Sequence, residues 1–142
     1  MIEVVQYEPA HLRRMALQQQ QREVSGWLKD GYAEALATAP GLSYAVLRGE
    51  EVLACAGLHQ VWAGRVVAWA LLAEHLGTAF IYLHSAVKRC LEIAPAHRIE
   101  AYVDCEFTTG AKWVERLGFE REGRMRAFGI DRRDFYLYSM VR

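Results

Sequence analysis

Four ionisable side chains lie at or just beyond the carboxyl ends of predicted strands and could take part in proton transfer. His59 lies near the end of one strand, Glu74 follows the next, and Asp104 and Glu106 lie at the end of a third. An imidazole titrates near neutral pH, and a carboxylate can act as a general base beside the proton it accepts. Simpler interpretations stay open: a surface or core histidine, a solvated carboxylate at a strand end, or, for the last pair, caps of the next helix. Residue type alone therefore gives candidates for acid–base chemistry and does not choose among them.

The three cysteines do not suggest metal or disulfide chemistry. Cys55, Cys90 and Cys105 are odd in number and lie within apolar patterns. These features favour free, buried thiols in a reducing compartment over a disulfide framework. Because the cysteines lack the close spacing of a structural zinc site, we predict no metal.

The composition predicts one globular domain over residues 1–142, with 53% hydrophobic and 24% charged residues. The 17 basic residues balance the 17 acidic ones, which argues against a dedicated nucleic-acid binder. No apolar run approaches the roughly 18 residues of a membrane span. The segment MIEVVQYEP lacks the basic and apolar regions of a signal peptide. We therefore expect a cytoplasmic protein without membrane or nucleic-acid contacts.

The stretch Arg98–Gly123 indicates the fold most clearly. Ile99–Cys105 alternates apolar and polar side chains, which is the period of a strand. Apolar residues then recur at helical spacing, and Thr108 or Thr109 can cap the start of this helix. Gly118 can adopt the left-handed conformation that ends it.

The same rules divide the rest of the chain into strands and helices. The other predicted strands are Ile2–Tyr7, Leu42–Leu47, Val52–Gln60, Val66–Leu72, Glu120–Phe128 and Phe135–Val141. The other predicted helices are Ala10–Val24, Tyr32–Ala39 and a third that Gly77 and Thr78 open and Pro95 ends. The order β-α-α-β-β-β-α-β-α-β-β predicts an α/β fold with a mixed, mostly antiparallel sheet and helices on both faces.

This order, with Leu-Gly-Phe closing the last helix, resembles the GCN5-related N-acetyltransferase (GNAT) superfamily. The topological resemblance covers the whole chain, whereas the motif similarity is confined to Val66–Gly123. More narrowly, RIEAYVD, GAKWVERLGFEREGRMR and DFYLYSMVR resemble phage and prophage proteins. Those proteins are described as GNAT-like and related to internal virion protein A of short-tailed phages.

The resemblance implies an acetyl-CoA site where the fourth and fifth strands splay apart. The pantetheine would bond to the backbone of the fourth strand. The pyrophosphate would lie on amides at the start of the next helix, where free N–H groups and the helix dipole favour an anion. The cofactor-binding residues that the resemblance implies are Leu71, Leu72, Ala73, Gly77, Thr78 and Ala79.

Two positions depart from the superfamily pattern. The usual Arg/Gln-x-x-Gly-x-Gly/Ala loop falls on EHLGTAF, where only Gly77 remains, Phe80 is bulky, and Glu74 would repel a pyrophosphate unless it points away. In a simpler interpretation, Gly77 and Thr78 form only a turn and a cap. The tyrosine that serves many members as the acid is replaced by Val114, which cannot donate a proton.

Two hypotheses follow for the function. In the first, the chain transfers an acetyl group from acetyl-CoA to a small-molecule or protein amine. Glu74 or His59 would then be the base, and Tyr138 the replacement acid, although aromatic residues in strands more often serve packing. In the second, the chain is a non-catalytic, virion-associated component that contacts phage structural proteins. A homodimer stays open under both hypotheses.

Overall fold

The computed structural model describes residues 1–17 and 31–142. The strands in this part of the chain are β1 (Ile2–Gln6), β2 (Gly41–Arg48), β3 (Glu51–Trp62), β4 (Arg65–Leu72), β5 (Arg98–Asp104), β6 (Glu120–Met125) and β7 (Phe135–Val141). The helices are α1 (Pro9–Arg14), α2 (Tyr32–Thr38), α3 (Ala79–Ile93) and α4 (Thr108–Leu117).

The strands form one mixed sheet in the order β1-β2-β3-β4-β5-β7-β6. Short turns join β2, β3 and β4, and these neighbours are antiparallel. The link from β4 to β5 passes through α3, and these two strands are parallel, as a helical crossover allows. The predicted fold class, a mixed and mostly antiparallel sheet, is confirmed.

Helices cover both faces of the sheet. Ala101 and its cross-strand partner Ala68 lie on the face that packs against α3 and α4. The next residue, Trp69, points to the opposite face, where its ring meets Tyr7 edge-on. The Tyr7 hydroxyl donates to the carbonyl of Ala33 in α2, 2.9 Å away. One apolar cluster centres on β1–β4, a second centres on β5 and β7, and side chains of α3 and α4 connect them.

The end of α4 follows the prediction, and its start does not. Gly118 ends the helix at φ 107°, and Phe119 returns to the core with 4% of its surface exposed. Neither Thr108 nor Thr109 caps the start, where no side chain forms a capping hydrogen bond. Instead, a carboxylate oxygen of Asp104 accepts the Glu106 amide at 2.9 Å and closes the turn before the helix.

The first helix is shorter than predicted. Pro9 begins it as expected, but it ends at Arg14, and Met15 is extended. The chain leaves the helix because Leu17 forms a bridge with Ala73, just beyond β4. The remaining part of the predicted helix, 18–24, lies outside the described residues.

The prediction of buried thiols is wrong for Cys90. All three cysteines are free, Cys55 is buried and Cys105 is half-buried, but Cys90 is exposed on α3. Of the apolar side chains along α3, only those of Ala79, Leu83 and Leu91 are buried.

In the described ranges, no helix has the length and apolarity to cross a bilayer. No group of His, Cys, Asp or Glu there is arranged to hold a metal ion.

Candidate functional site

The parallel strands β4 and β5 pair over only part of their length. Their register begins at Arg65 opposite Arg98 and ends at Ala68 opposite Ala101. Beyond that pair β4 continues to Leu72, and β5 continues to Asp104. Within the described ranges the carboxyl ends of the two strands do not pair with each other, and we call the region between them the opening. Leu71 and Leu72 of the sequence-predicted site lie on this end of β4.

A buried carboxylate holds the paired end of these strands together. Glu100 is 3% exposed and accepts hydrogen bonds from Arg65 Nε and Arg98 Nε, each at 2.7 Å, and from the Tyr102 hydroxyl at 2.9 Å. The hydrogen bond from Arg65, with the others, lowers the pKa of Glu100 to about 2. Arg98 also pairs with Glu122 of β6 at 2.7 Å, so the network reaches across the sheet.

The predicted phosphate loop lies at the start of α3. Gly77 is left-handed, at φ 55°, and a side chain built on it would meet nothing within 4 Å. The Ala79 amide donates to the Leu76 carbonyl at 3.0 Å, so one of the three predicted amides is engaged in a turn. Gly77 and Thr78 are exposed, and within the described ranges their amides donate to no acceptor. Two N–H groups are thus open to an anion.

The two predicted bases occupy different environments. Glu74 is exposed, with its carboxylate 3.8 Å from His75 Nε2, and its amide donates to the Ala16 carbonyl at 2.7 Å. His59 lies on β3, and its ring is 5.5 Å from that of Trp69. Burial lowers the pKa of His59, against a smaller opposing effect of a hydrogen bond with the backbone of Leu36. His59 is therefore a neutral imidazole near pH 7.

The predicted acid is sequestered on the other side of the sheet. Tyr138 is fully buried, and its hydroxyl donates to Glu115 Oε2 at 2.6 Å and accepts from Arg121 at 2.9 Å. Burial, with the Glu115 hydrogen bond, raises the pKa of this phenol. These contacts tie Tyr138 to α4 and β6 and give it a packing role in this structure.

Comparisons with known proteins place the fold in a known group. No family model matches the sequence, and no curated protein does. Among solved structures, a candidate phosphinothricin N-acetyltransferase superposes with a TM-score of 0.77 at 13% identity, covering 99% of this chain and 98% of its own. The ribosomal-protein-S18-alanine N-acetyltransferase of Escherichia coli gives 0.76 at 14% identity, covering 99% and 94%. A GNAT-family acetyltransferase from Bacillus anthracis gives 0.69 at 14% identity, with the same coverage.

The chain has the GNAT fold. Two carboxylates from the acid–base candidates of the sequence, Asp104 and Glu106, are bound by an arginine. Arg133 lies 3.1 Å from Asp104 and 3.6 Å from Glu106, beside a cavity of about 200 Å³ that Arg124 and Asp134 also line. These ion pairs compete with any role of the two carboxylates as general bases.

A second cavity in this GNAT fold was missed in the sequence. It has a volume of about 250 Å³ and lies between α3 and α4. Its lining residues are Phe80, Thr109, Lys112, Trp113 and Arg116. The i,i+4 spacing of the two cations on α4 was a visible signal, but nothing in the sequence placed Phe80 against them.

Proposed function

We propose that the chain is an acetyl-CoA-dependent N-acetyltransferase. The observation that carries the proposal is the opening between β4 and β5, in a chain whose fold is that of known N-acetyltransferases. A fold alone does not fix a function, so the proposal rests on whether the residues at the opening fit the ligand.

The residues at the opening fit a thioester with a diphosphate. The Gly77 and Thr78 amides would hold the diphosphate, because free N–H groups at a helix start favour negative charge. The backbone of Leu71, Leu72 and Ala73 would run beside the pantetheine. Acetyl-CoA supplies an acetyl group activated as a thioester. The chain's own contribution is to bind, to orient and to move protons.

Acetyl transfer to an amine forms a C–N bond and breaks a C–S bond, while the amine loses one proton and the departing thiolate gains one. The candidate bases are Glu74, which is exposed at the end of β4, and His59, whose buried Nε2 would have to become accessible to the amine. Val114 occupies the position of the usual acid and cannot donate. We therefore propose that solvent protonates the thiolate. The acceptor is an amine of a small molecule or a protein.

A charge placed at Gly77 tests the proposal. Gly77→Asp and Gly77→Asn tolerate the left-handed backbone equally well, and both side chains extend into open space. If the amides hold a diphosphate, the aspartate weakens acetyl-CoA binding at least about tenfold more than the asparagine. Isothermal titration measures both affinities, and thiol release with a panel of amines measures activity.

Absence of binding would contradict the proposal. A ligand at 100 times its Kd adds about 2.7 kcal/mol to the free energy of unfolding, which is readily seen as a rise in Tm. No rise at millimolar acetyl-CoA or CoA would exclude this function. The non-catalytic virion component would then be the remaining hypothesis.

A further inference from the structure

The turn between β6 and β7 is held over the carboxyl end of β5. Arg133 of this turn pairs with Asp104 at 3.1 Å, and the Cys105 amide donates to the Asp134 carbonyl at 3.0 Å. Inside the turn, a carboxylate oxygen of Asp134 accepts the Ala127 amide at 2.9 Å. These contacts fix the position of the turn beside the opening.

The turn projects one aromatic ring onto β5. The Phe128 ring meets the Tyr102 ring edge-on, with 5.1 Å between their centroids, and lies 5.5 Å from the ring of Phe135. Phe128 nevertheless stays 48% exposed. The residue before it, Ala127, has φ 51°, a left-handed conformation that strains any residue other than glycine. A strained backbone that presents a half-exposed ring is typical of a recognition element.

Two more rings border the opening on the same face of the sheet. Ala68 and Ala101 form the last pair between β4 and β5, and the next residues, Trp69 and Tyr102, both point away from the face of these alanines. Both rings are half-buried. A side chain on Gly57 of β3 would come within 2.8 Å of Trp69 Nε1, so the indole leans toward β3. The two rings therefore border the opening from opposite sides.

The carboxylates at this face already have cationic partners. Glu100 is bound by two guanidinium groups, and Asp104 and Glu106 share Arg133. A polycationic acceptor would have to displace an arginine from each of these carboxylates. An aromatic acceptor needs no such exchange, because edge-on and offset contacts between rings are favourable by themselves.

We propose that the acceptor is an arylalkylamine, a small molecule whose amine is joined to an aromatic ring by a short alkyl chain. The inference rests on the proposed function. The ring of the acceptor packs among Trp69, Tyr102 and Phe128, and its amine lies at the opening. Phe128 then selects for the ring of the acceptor and has no part in the transfer of the acetyl group.

Titration of three amines into the CoA-saturated protein tests the assignment, because CoA carries no acetyl group and leaves the amines unchanged. The wild type binds phenethylamine at least about tenfold more tightly than n-butylamine or spermidine. Phe128→Ala reduces the preference for phenethylamine over n-butylamine by at least about fivefold. The matched control is Ile130→Ala, in the same turn and 80% exposed, which keeps the wild-type preference.

Each outcome decides a different question. Equal affinities of the wild type for phenethylamine and n-butylamine would overturn the inference, and so would tighter binding of spermidine or binding of none of the three. These results leave the proposed function intact, since binding of CoA tests that function separately. An equal effect of Phe128→Ala and Ile130→Ala on the preference would also overturn the assignment. The Tm of each unliganded variant checks that it folds.

Discussion

At the scale of single residues, two neighbouring rings on one sheet face bury nitrogen atoms without partners. Within the described ranges, His59 Nε2 and Trp69 Nε1 are inaccessible and form no hydrogen bond. Leaving a buried polar atom unsatisfied costs about 1–3 kcal/mol. Trp69 is also the first β4 residue after the last pair with β5, so this cost is incurred where the opening begins. A residue retained at such a cost is a good candidate for chemistry.

Replacing His59 with phenylalanine separates its structural and chemical contributions. We expect His59→Phe to change the free energy of unfolding by less than about 1 kcal/mol, because it removes the unsatisfied Nε2 and also the hydrogen bond with the backbone of Leu36. If His59 is the base, acetyl transfer falls by about 100-fold or more while acetyl-CoA affinity is unchanged. Urea unfolding and thiol release measure the two effects. Retained activity would leave Glu74 as the base.

The same variant has a pH signature. The pKa of His59 lies below its ordinary value of 6.5, so below that pH the unfolded chain binds the proton more readily than the folded one. Wild-type stability therefore falls as pH drops from 6.5 toward the lower folded pKa, and His59→Phe reduces that fall.

At the scale of secondary-structure elements, the Glu100 network explains why β4 and β5 stay paired at one end and diverge at the other. Its side chains come from β4, β5 and β6, and all cluster at the paired end. A buried carboxylate with two guanidinium partners fixes strand positions more strictly than apolar contacts alone. Loss of any one of these charged side chains is strongly destabilising, because it leaves a buried charge without its partner.

We expect Glu100→Gln to lower the free energy of unfolding by about 2–4 kcal/mol, since Arg65 and Arg98 lose their shared anion. The matched control Glu51→Gln breaks the exposed pair with Arg48 and changes the free energy of unfolding by less than about 1 kcal/mol.

The Glu100 network also predicts a pH dependence. The pKa of Glu100 is lowered from 4.5 to about 2, so the contribution of Glu100 to the free energy of unfolding is complete above pH 4.5 and is lost as pH falls toward 2. Urea unfolding between pH 7 and 3 should show a flatter profile in the variant. Similar losses in both variants would contradict a special role for Glu100.

Local sequence patterns predicted the helices and strands well where residues close in sequence determine the structure. Ile99–Cys105 alternates because one side of β5 faces helices, and Gly118 ends α4 because it can adopt positive φ. The failures arose where a distant contact overrides the pattern. Met15 is extended because the next residues reach the end of β4, and no spacing within 10–24 encodes that contact.

The same limit applies to the candidate site. The position of the opening, between the fourth and fifth strands, was implied by the family resemblance and not by the residues themselves. The cavity between α3 and α4 did not follow, since His84 and Trp113 meet across 29 positions of sequence. The sequence shows Lys112 and Arg116 as an ordinary polar helix side, and only packing reveals the aromatic rings beside them.

At the scale of the whole molecule, the sheet consists of two halves joined at the shortest strand pairing. One apolar cluster serves β1–β4, the other serves β5 and β7, and the side chains of Val87 and Trp113 contact both. The four residue pairs between β4 and β5 and the Glu100 network complete the junction. A ligand in the opening would touch both halves and couple them.

Hydrogen exchange tests this coupling directly. Under native conditions, saturating CoA should slow amide exchange at the diverging ends of both strands, in 69–72 and 102–104, and at Gly77 and Thr78. The reason is that local opening of either half then requires loss of the ligand. Amides of β1 that exchange through local fraying should exchange at the same rate with and without CoA. Gly77→Asp at the same CoA concentration should lose most of the protection, whereas Gly77→Asn should retain it. Protection confined to the β6–β7 turn, or to one strand alone, would show that the ligand does not lie between the halves.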